Sequence, residues 1–263
     1  NLILLGISII FLVVVDNIWL QLLNAAFLAF VLVQMGFIGH DSGHQQVFRS
    51  ARNNEILSLV ISFVLGMSRT WWIEKHNLHH SNPNHVDLDP DIDIPIMAFS
   101  EDQALSKMGL YKHVTKYQAF LFYPILCLQG FGLRLASVLY MIRNKIKYPV
   151  GEPIMMATSL VIYAAVVVYL LGAWHGLIFI LVNQLVFGLY TGSTFAPNHK
   201  GMPVFEGERH LDFFTRQVIT ARNIKSSFIN DFIYGGLNYQ VEHHLFDVTW
   251  RSPNTGRKRG HLH

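Results

Sequence analysis

The chain reads as an all-α integral membrane protein: two transmembrane helical hairpins, topped by a cytoplasmic cap of interfacial helices that carries a cluster of histidines. Three observations predict this. The 263 residues are 51% hydrophobic and only 14% charged, with a mean hydropathy of +0.32, too apolar for an ordinary soluble domain. The apolar residues gather in long charge-free runs, two pairs of which are joined by a few residues each. Finally, three short stretches, His40-Asp41-Ser42-Gly43-His44, His76-Asn77-Leu78-His79-His80 and Gln240-Val241-Glu242-His243-His244, place metal-ligand residue types three or four positions apart. On a helix such residues share a face. One such pair arises often by chance; three, each flanking an apolar segment, point to a shared metal centre.

Taken in order, residues 2–15 are almost wholly apolar and stop at Asp16-Asn17. The run from Ile18 to Ile38 is long enough to cross about 30 Å of hydrocarbon at about 1.5 Å per residue. The two form the first expected hairpin, and His40 to His44 emerge at its end. Leu57 to Met67 is too short to span and is expected at the interface or partly re-entrant. Trp71-Trp72 then stand where aromatic side chains favour the headgroup region. From Asn82 to Lys116 the sequence is polar and interrupted by Pro83, Pro90 and Pro95, which predicts a loop exposed to water. Asp87, Asp89, Asp91 and Asp93 alternate there, but the glycine and terminal glutamate of a calcium loop are out of register.

Tyr117 to Ile142 is largely apolar yet carries Gln118, Pro124, Gln129 and Arg134. Ile154–Ala173 and Leu177–Tyr190 form the second expected hairpin, turning at Gly172–Gly176. If the histidine stretches are to meet, an even number of crossings must separate His80 from His243. The second hairpin supplies two, so Tyr117–Ile142 is expected to lie in the interface. Charge agrees, because all 20 Lys and Arg residues fall on the histidine side or at its interface. The positive-inside rule then places the histidines in the cytoplasm. The net charge of +3 comes from these loops, and no nucleic-acid partner is expected. Arg209, Arg216, Arg222 and Lys225 suggest a surface helix near headgroups. The chain has no initiator Met and opens inside an apolar run without basic flanks, so an incomplete N-terminus is expected and a signal peptide is not. Residues 1–263 read as a single membrane domain.

The single cysteine, Cys127, excludes an intramolecular disulfide and any Cys-rich zinc or iron–sulfur site. Imidazoles without thiolate suit iron, zinc, copper or nickel. With His199, a ligand by the resemblance given below, the clusters hold eight histidines, more than one ion takes, and two metals fit better. A structural zinc asks for fewer ligands and no membrane scaffold. Dinuclear iron makes physical sense if the task is to activate dioxygen against an unactivated C–H bond, in a pocket that excludes water.

HDSGH, HNLHH and QVEHH, in that order around two membrane hairpins, resemble the three histidine boxes of the membrane-bound fatty acid desaturases. Gln240 at the head of the third box resembles the front-end and linoleoyl-CoA desaturase-like branch. Phe195-Ala196-Pro197-Asn198-His199-Lys200-Gly201-Met202-Pro203 resembles the segment that supplies a further ligand histidine. The resemblance runs from the first hairpin to Phe246. It implies that His40, His44, His76, His79, His80, His199, His243 and His244 bind two Fe ions. It also implies that O2 is co-substrate, and that a C=C bond is introduced into a fatty acyl-CoA or acyl-lipid. Gln240 then hydrogen-bonds a ligand or bound water, or coordinates weakly. No haem-binding HPGG is present, so the electron donor (cytochrome b5, ferredoxin or a reductase) is expected to be separate unless it was lost with the N-terminus. Leu245-Phe246-Asp247 departs from the family's Leu-Phe-Pro, which marks 247–263 as a divergent tail.

Asp41, Glu74 and Glu242 neighbour the ligands and are the acceptors expected to orient imidazole N–H groups, against a plain reading as solvated carboxylates. Trp71, Trp72 and Tyr239 either line a substrate tunnel or are ordinary interfacial aromatics. His85, His113, His175 and His210 read as non-ligands, and His261 and His263 as solvent-exposed. Lys200, Arg209 and Arg222 either grip a phosphate or simply seek the interface. Two other functions compete. A hydroxylase or ketolase of the same diiron superfamily shares the C–H abstraction. A metal transporter needs ionisable groups inside the spans, where Asn183 and Gln184 are the main polar residues of the second hairpin.

Overall fold

The computed structural model describes residues 1–207 and 211–246. Arg209, His210 and the 247–263 tail with His261 and His263 lie outside the described residues. The regular structure described is helical: α1 (Leu2–Val14), α2 (Ile18–Gly43), α3 (Ala51–Leu65), α4 (Arg69–Ser81), α5 (Glu101–Ser106), α6 (Gly109–Lys116), α7 (Gln118–Cys127), α8 (Gln129–Arg143), α9 (Gly151–Leu171), α10 (Ala173–His199), α11 (Phe213–Thr220), α12 (Phe228–Ile233) and α13 (Gln240–Phe246). One isolated parallel bridge joins His85 to Phe205.

Three of these, α2, α9 and α10, are long and apolar enough to cross a membrane. The first hairpin forms as expected, although α1 has only 13 residues and at about 1.5 Å per residue is shorter than a span. Its turn is closed by α2. The Gln21 side chain donates to the carbonyls of Phe11, Leu12 and Val15 at 3.1, 3.3 and 2.6 Å, satisfying the open end of α1. Ser8 and Asn24 hydrogen-bond across the pair at 2.8 Å. The second hairpin, α9 and α10, turns at Gly172 with φ +78°, a left-handed conformation that glycine adopts without strain.

Helix α10 is the centre of the packing and touches α2, α7, α8 and α9, while α2 also carries α1 and α3. Ala25, Leu28, Ala29 and Leu32 of α2 meet Phe179 and Phe187 of α10 in the core. Asn183 lies inside this contact, fully buried. It donates to the Ala25 carbonyl at 3.0 Å and accepts from Tyr163 and Gln184, both at 3.0 Å. Its polarity joins α2, α9 and α10 to one another.

The two segments of ambiguous length are both bent. α7 and α8 meet at 71°, and neither limb, at 10 and 15 residues, reaches the roughly 20 residues of a span. The elbow rests on α10 at Gly188, where a Cβ would lie 2.5 Å from the Cys127 carbonyl and 2.7 Å from that of Leu126. Only glycine permits that approach. α3 and α4 turn by 108° at Gly66, φ +64°. The Arg134 guanidinium donates to the Leu65 carbonyl at 2.8 Å to close α3. The buried Glu152 carboxylate accepts from Ser68 Oγ at 2.6 Å, from the Thr70 N–H at 3.0 Å and from the Thr70 hydroxyl, fixing the start of α4.

The 82–116 segment departs from the expected water-exposed loop. It contains α5 and α6, and buries Asn84, Asp89, Ile92, Met97 and Ala98. The reason is Asp89, whose carboxylate accepts from the N–H groups of Asn84 and Asp91, both at 2.8 Å, and folds the segment back onto α4.

Candidate metal centre

Each histidine is delivered by a helix end. His40 lies in the last turn of α2 with His44 as its C-cap; His76, His79 and His80 share the last turns of α4; His199 ends α10; His243 and His244 lie on α13. All eight come together in two groups, His40, His44, His76, His80 and His243 in one, His79, His199 and His244 in the other. Within each group the nearest ligand nitrogens lie within 4.8 Å of one another. Helix α4 serves both, because successive residues point about 100° apart on a helix: His76 and His80, four apart, face one group and His79 the other. α13 divides its adjacent His243 and His244 in the same way. Across the first group His44 Nε2 lies 2.8 Å from His76 Nε2, and His80 Nε2 3.1 Å from His243 Nε2. The Trp72 ring stacks on His76, centroids 4.7 Å apart and planes at 18°. Gly43 makes room for it, since a Cβ there would sit 2.5 Å from the Trp72 ring.

In the three-histidine group every Nδ1 has an acceptor. His79 Nδ1 faces both oxygens of Asp89 at 3.0 Å, His199 Nδ1 the Thr220 carbonyl at 3.0 Å, and His244 Nδ1 the Gln217 Oε1 at 2.8 Å. The Gln217 amide is oriented by its own nitrogen, which donates to the His80 carbonyl at 2.9 Å. A neutral imidazole that donates from Nδ1 presents a lone pair at Nε2, so three Nε2 lone pairs converge here. His79 and His199 bring theirs to 3.3 Å. Burial, and then the neighbouring imidazoles, push His243 and His244 well below the ordinary histidine value, which keeps them neutral and ready to ligate. Burial pushes the Asp89 carboxyl up, but the His79 hydrogen bond and charge and the Asn84 N–H outweigh it and hold the carboxyl below its ordinary value.

These residues fit a metal. His244 Nε2 and His243 Nδ1 are buried with no hydrogen-bond partner, a cost of about 1–3 kcal/mol each if nothing binds them. The donor set is all imidazole, with no thiolate nearby.

The other predicted residues separate. Asp41 stands 3.4 Å from His40 Nδ1, but Glu242 accepts from Asn223 at 2.7 Å and Glu74 from the Tyr140 hydroxyl, so neither orients a histidine through these bonds. Gln240 is buried against His199 Nε2 at 3.0 Å. A cleft of about 250 Å³ reaches the histidines between His44, Asn77, His80, Ser81, Phe213 and His244. None of Trp71, Trp72 and Tyr239 lines it: Trp71 is buried, and the Tyr239 hydroxyl donates to Ser226 at 2.8 Å. His85 pairs with the Gly207 carbonyl at 3.0 Å, His113 packs on Tyr117, and His175 lies beside Asp16 at the opposite end of the hairpins. Lys200 donates to the Asp91 carbonyl at 3.1 Å and Arg222 to that of Pro197 at 2.6 Å, so both cations tie loops together. Sequence reasoning missed Asp89, Gln217, Thr220 and Asn198. Asp89 was hidden in an acidic, loop-like run, and the other three pair with partners far along the chain that no local motif announces.

The family model described as fatty acid desaturase matches residues 17–250, a stretch that contains all eight histidines. Over 236 residues, 86% of the chain, it is 35% identical to an acyl-lipid (9-3)-desaturase of Physcomitrium patens and covers 44% of that protein. It is 32% identical to the Delta(6)-fatty-acid desaturase of Caenorhabditis elegans, over 85% of the chain and 54% of the relative. With a Delta(8)-fatty-acid desaturase of Helianthus annuus it shares 30% identity, over 87% and 53%. The chain spans about half the length of the curated relatives it matches. Its helices and histidine stretches are those of an integral membrane protein, and the chain belongs to the fatty acid desaturase family.

Proposed function

We propose that this chain carries out O2-dependent desaturation of a fatty acyl chain at two irons, one held by His40, His44, His76, His80 and His243 and the other by His79, His199 and His244. The observation that carries the reading is the division of eight buried or half-buried imidazoles into these two adjoining groups. Bound iron would supply the oxidising power: O2 would take two electrons and two protons from the acyl chain, two electrons from a donor and two protons from water, leaving a C=C bond and two water molecules. The protein's own share is positional. Asp89, Thr220 and Gln217 hold three Nδ1 protons so that the Nε2 lone pairs face inward. Burial keeps His243 and His244 neutral. Trp72 packs against His76 and fixes its plane. The acyl group, as acyl-CoA or acyl-lipid, arrives from the membrane, and a separate protein such as cytochrome b5, ferredoxin or a reductase delivers electrons from the side where the histidines stand. That side is the cytoplasm, because the basic residues lie there while the α9–α10 turn carries none.

Metal analysis of the purified, detergent-solubilised protein is the first test. We expect about two irons per chain, falling to about one or none in His243→Ala and His199→Ala, as befits multidentate imidazole sites. With ferrous iron and a working reductant, product mass should fall by two hydrogens. A single zinc, or a product that gains oxygen, overturns the assignment.

A further inference from the structure

The glutamine that heads the third histidine stretch meets the three-histidine group, and its chemistry depends on which end of its amide faces inward. Gln240 is 3% exposed, and its nitrogen lies 3.0 Å from His199 Nε2. Its oxygen accepts from Asn198 Nδ2 at 3.0 Å. The same Asn198 nitrogen donates to the backbone carbonyl of Leu237 at 3.0 Å. A carbonyl only accepts, so the Asn198 atom against Leu237 must be its nitrogen. An amide nitrogen only donates, so the Gln240 atom it meets must be the oxygen. Turning either amide over would set two acceptors, or two donors, face to face in a buried place. Gln240 is therefore left with its N–H groups pointing into the group. His199 has its Nδ1 proton on the Thr220 carbonyl, so the Nε2 that Gln240 meets is an acceptor lone pair.

We propose that Gln240 serves the three-histidine site as a hydrogen-bond donor to an oxygen or anion bound there, and not as a metal ligand, with Asn198 as the positioning residue that fixes its amide. An N–H is no ligand for a metal, whereas beside three imidazoles with open coordination positions it stabilises an incoming anionic ligand. The inference rests on the two-metal reading given above, and deepens it for one site.

The test uses the purified chain loaded with cobalt(II), azide as the probe, metal content by mass spectrometry and azide affinity by visible absorption. Gln240→Leu should keep the wild-type metal content and bind azide about tenfold more weakly, as expected on losing one hydrogen bond to a charged acceptor. Asn198→Asp should do the same with Gln240 intact, since a carboxylate draws the Gln240 nitrogen to itself and turns its oxygen inward. Asn198→Ala, which removes the anchor without adding charge, should lie between the two. Loss of a metal in Gln240→Leu would make the glutamine a ligand and overturn the proposal. Unchanged azide affinity in that variant, or no azide binding by wild type, overturns it as well. Wild-type affinity in both Asn198 variants removes Asn198 from it. If wild type itself takes up fewer than two metals, the two-metal reading fails first, and that result is separate from the others.

Discussion

Asp89 lies with both carboxylate oxygens 3.0 Å from His79 Nδ1, fully enclosed, and receives two backbone N–H groups on its other lone pairs. Such an acceptor fixes a ligand's tautomer and raises its basicity, and its loss typically weakens metal binding about 10–100-fold. Asp89→Asn is expected to lower metal affinity within that range, measured by competition with a chelator. Asp41→Asn, whose acceptor stands 3.4 Å from His40, should change it less. The opposite order would move the anchoring role to the first stretch. The acidic run around Asp89 was readable as residues but not as a role, because a carboxylate ten positions from its histidine carries no local signature. Asp41, adjacent in sequence, looked the better partner and is the more distant one.

At the scale of elements, α4 carries three of the eight histidines, and its position is set from outside itself. Ser68 caps its first turn, accepting from the Trp71 N–H at 3.2 Å, and Glu152 in the first turn of α9 takes the Ser68 and Thr70 hydroxyls and the Thr70 N–H. Glu152→Ala leaves buried donors without partners, a loss of about 3 kcal/mol. The melting temperature in detergent should then fall by roughly 5–10 °C for a chain of this size. An unchanged melting curve would show that α4 is held by other contacts. The link joins the second hairpin to the histidine-bearing cap, so we expect the variant to retain less iron as well. The 108° turn at Gly66 and the 71° elbow between α7 and α8 let helices that are each too short to span fold against α2 and α10.

For the molecule as a whole, the arrangement requires both hairpins to return to one side, with the α1–α2 and α9–α10 turns together on the other. In a Cys127→Ser background, an impermeant maleimide should label Trp174→Cys in intact cells and Lys145→Cys only after permeabilisation, both sites being exposed. The reverse pattern would overturn the cytoplasmic placement, and identical labelling of the two would overturn the second hairpin. The sequence by itself determined the helical membrane class, the two hairpins and the seven histidines of the three stretches, with His199 found through resemblance. Apolar run length and i, i+3, i+4 spacing are local properties, and local properties survive in a linear string. Tertiary structure decided the rest: the division into five and three histidines, the burial of Asp89 under a folded-back loop, the orientation of the Gln217 and Gln240 amides, and the way α7–α8 rests on Gly188. Each of these depends on which partner a side chain meets beyond its own helix, and only the packing of the helices and loops against one another brings those partners together.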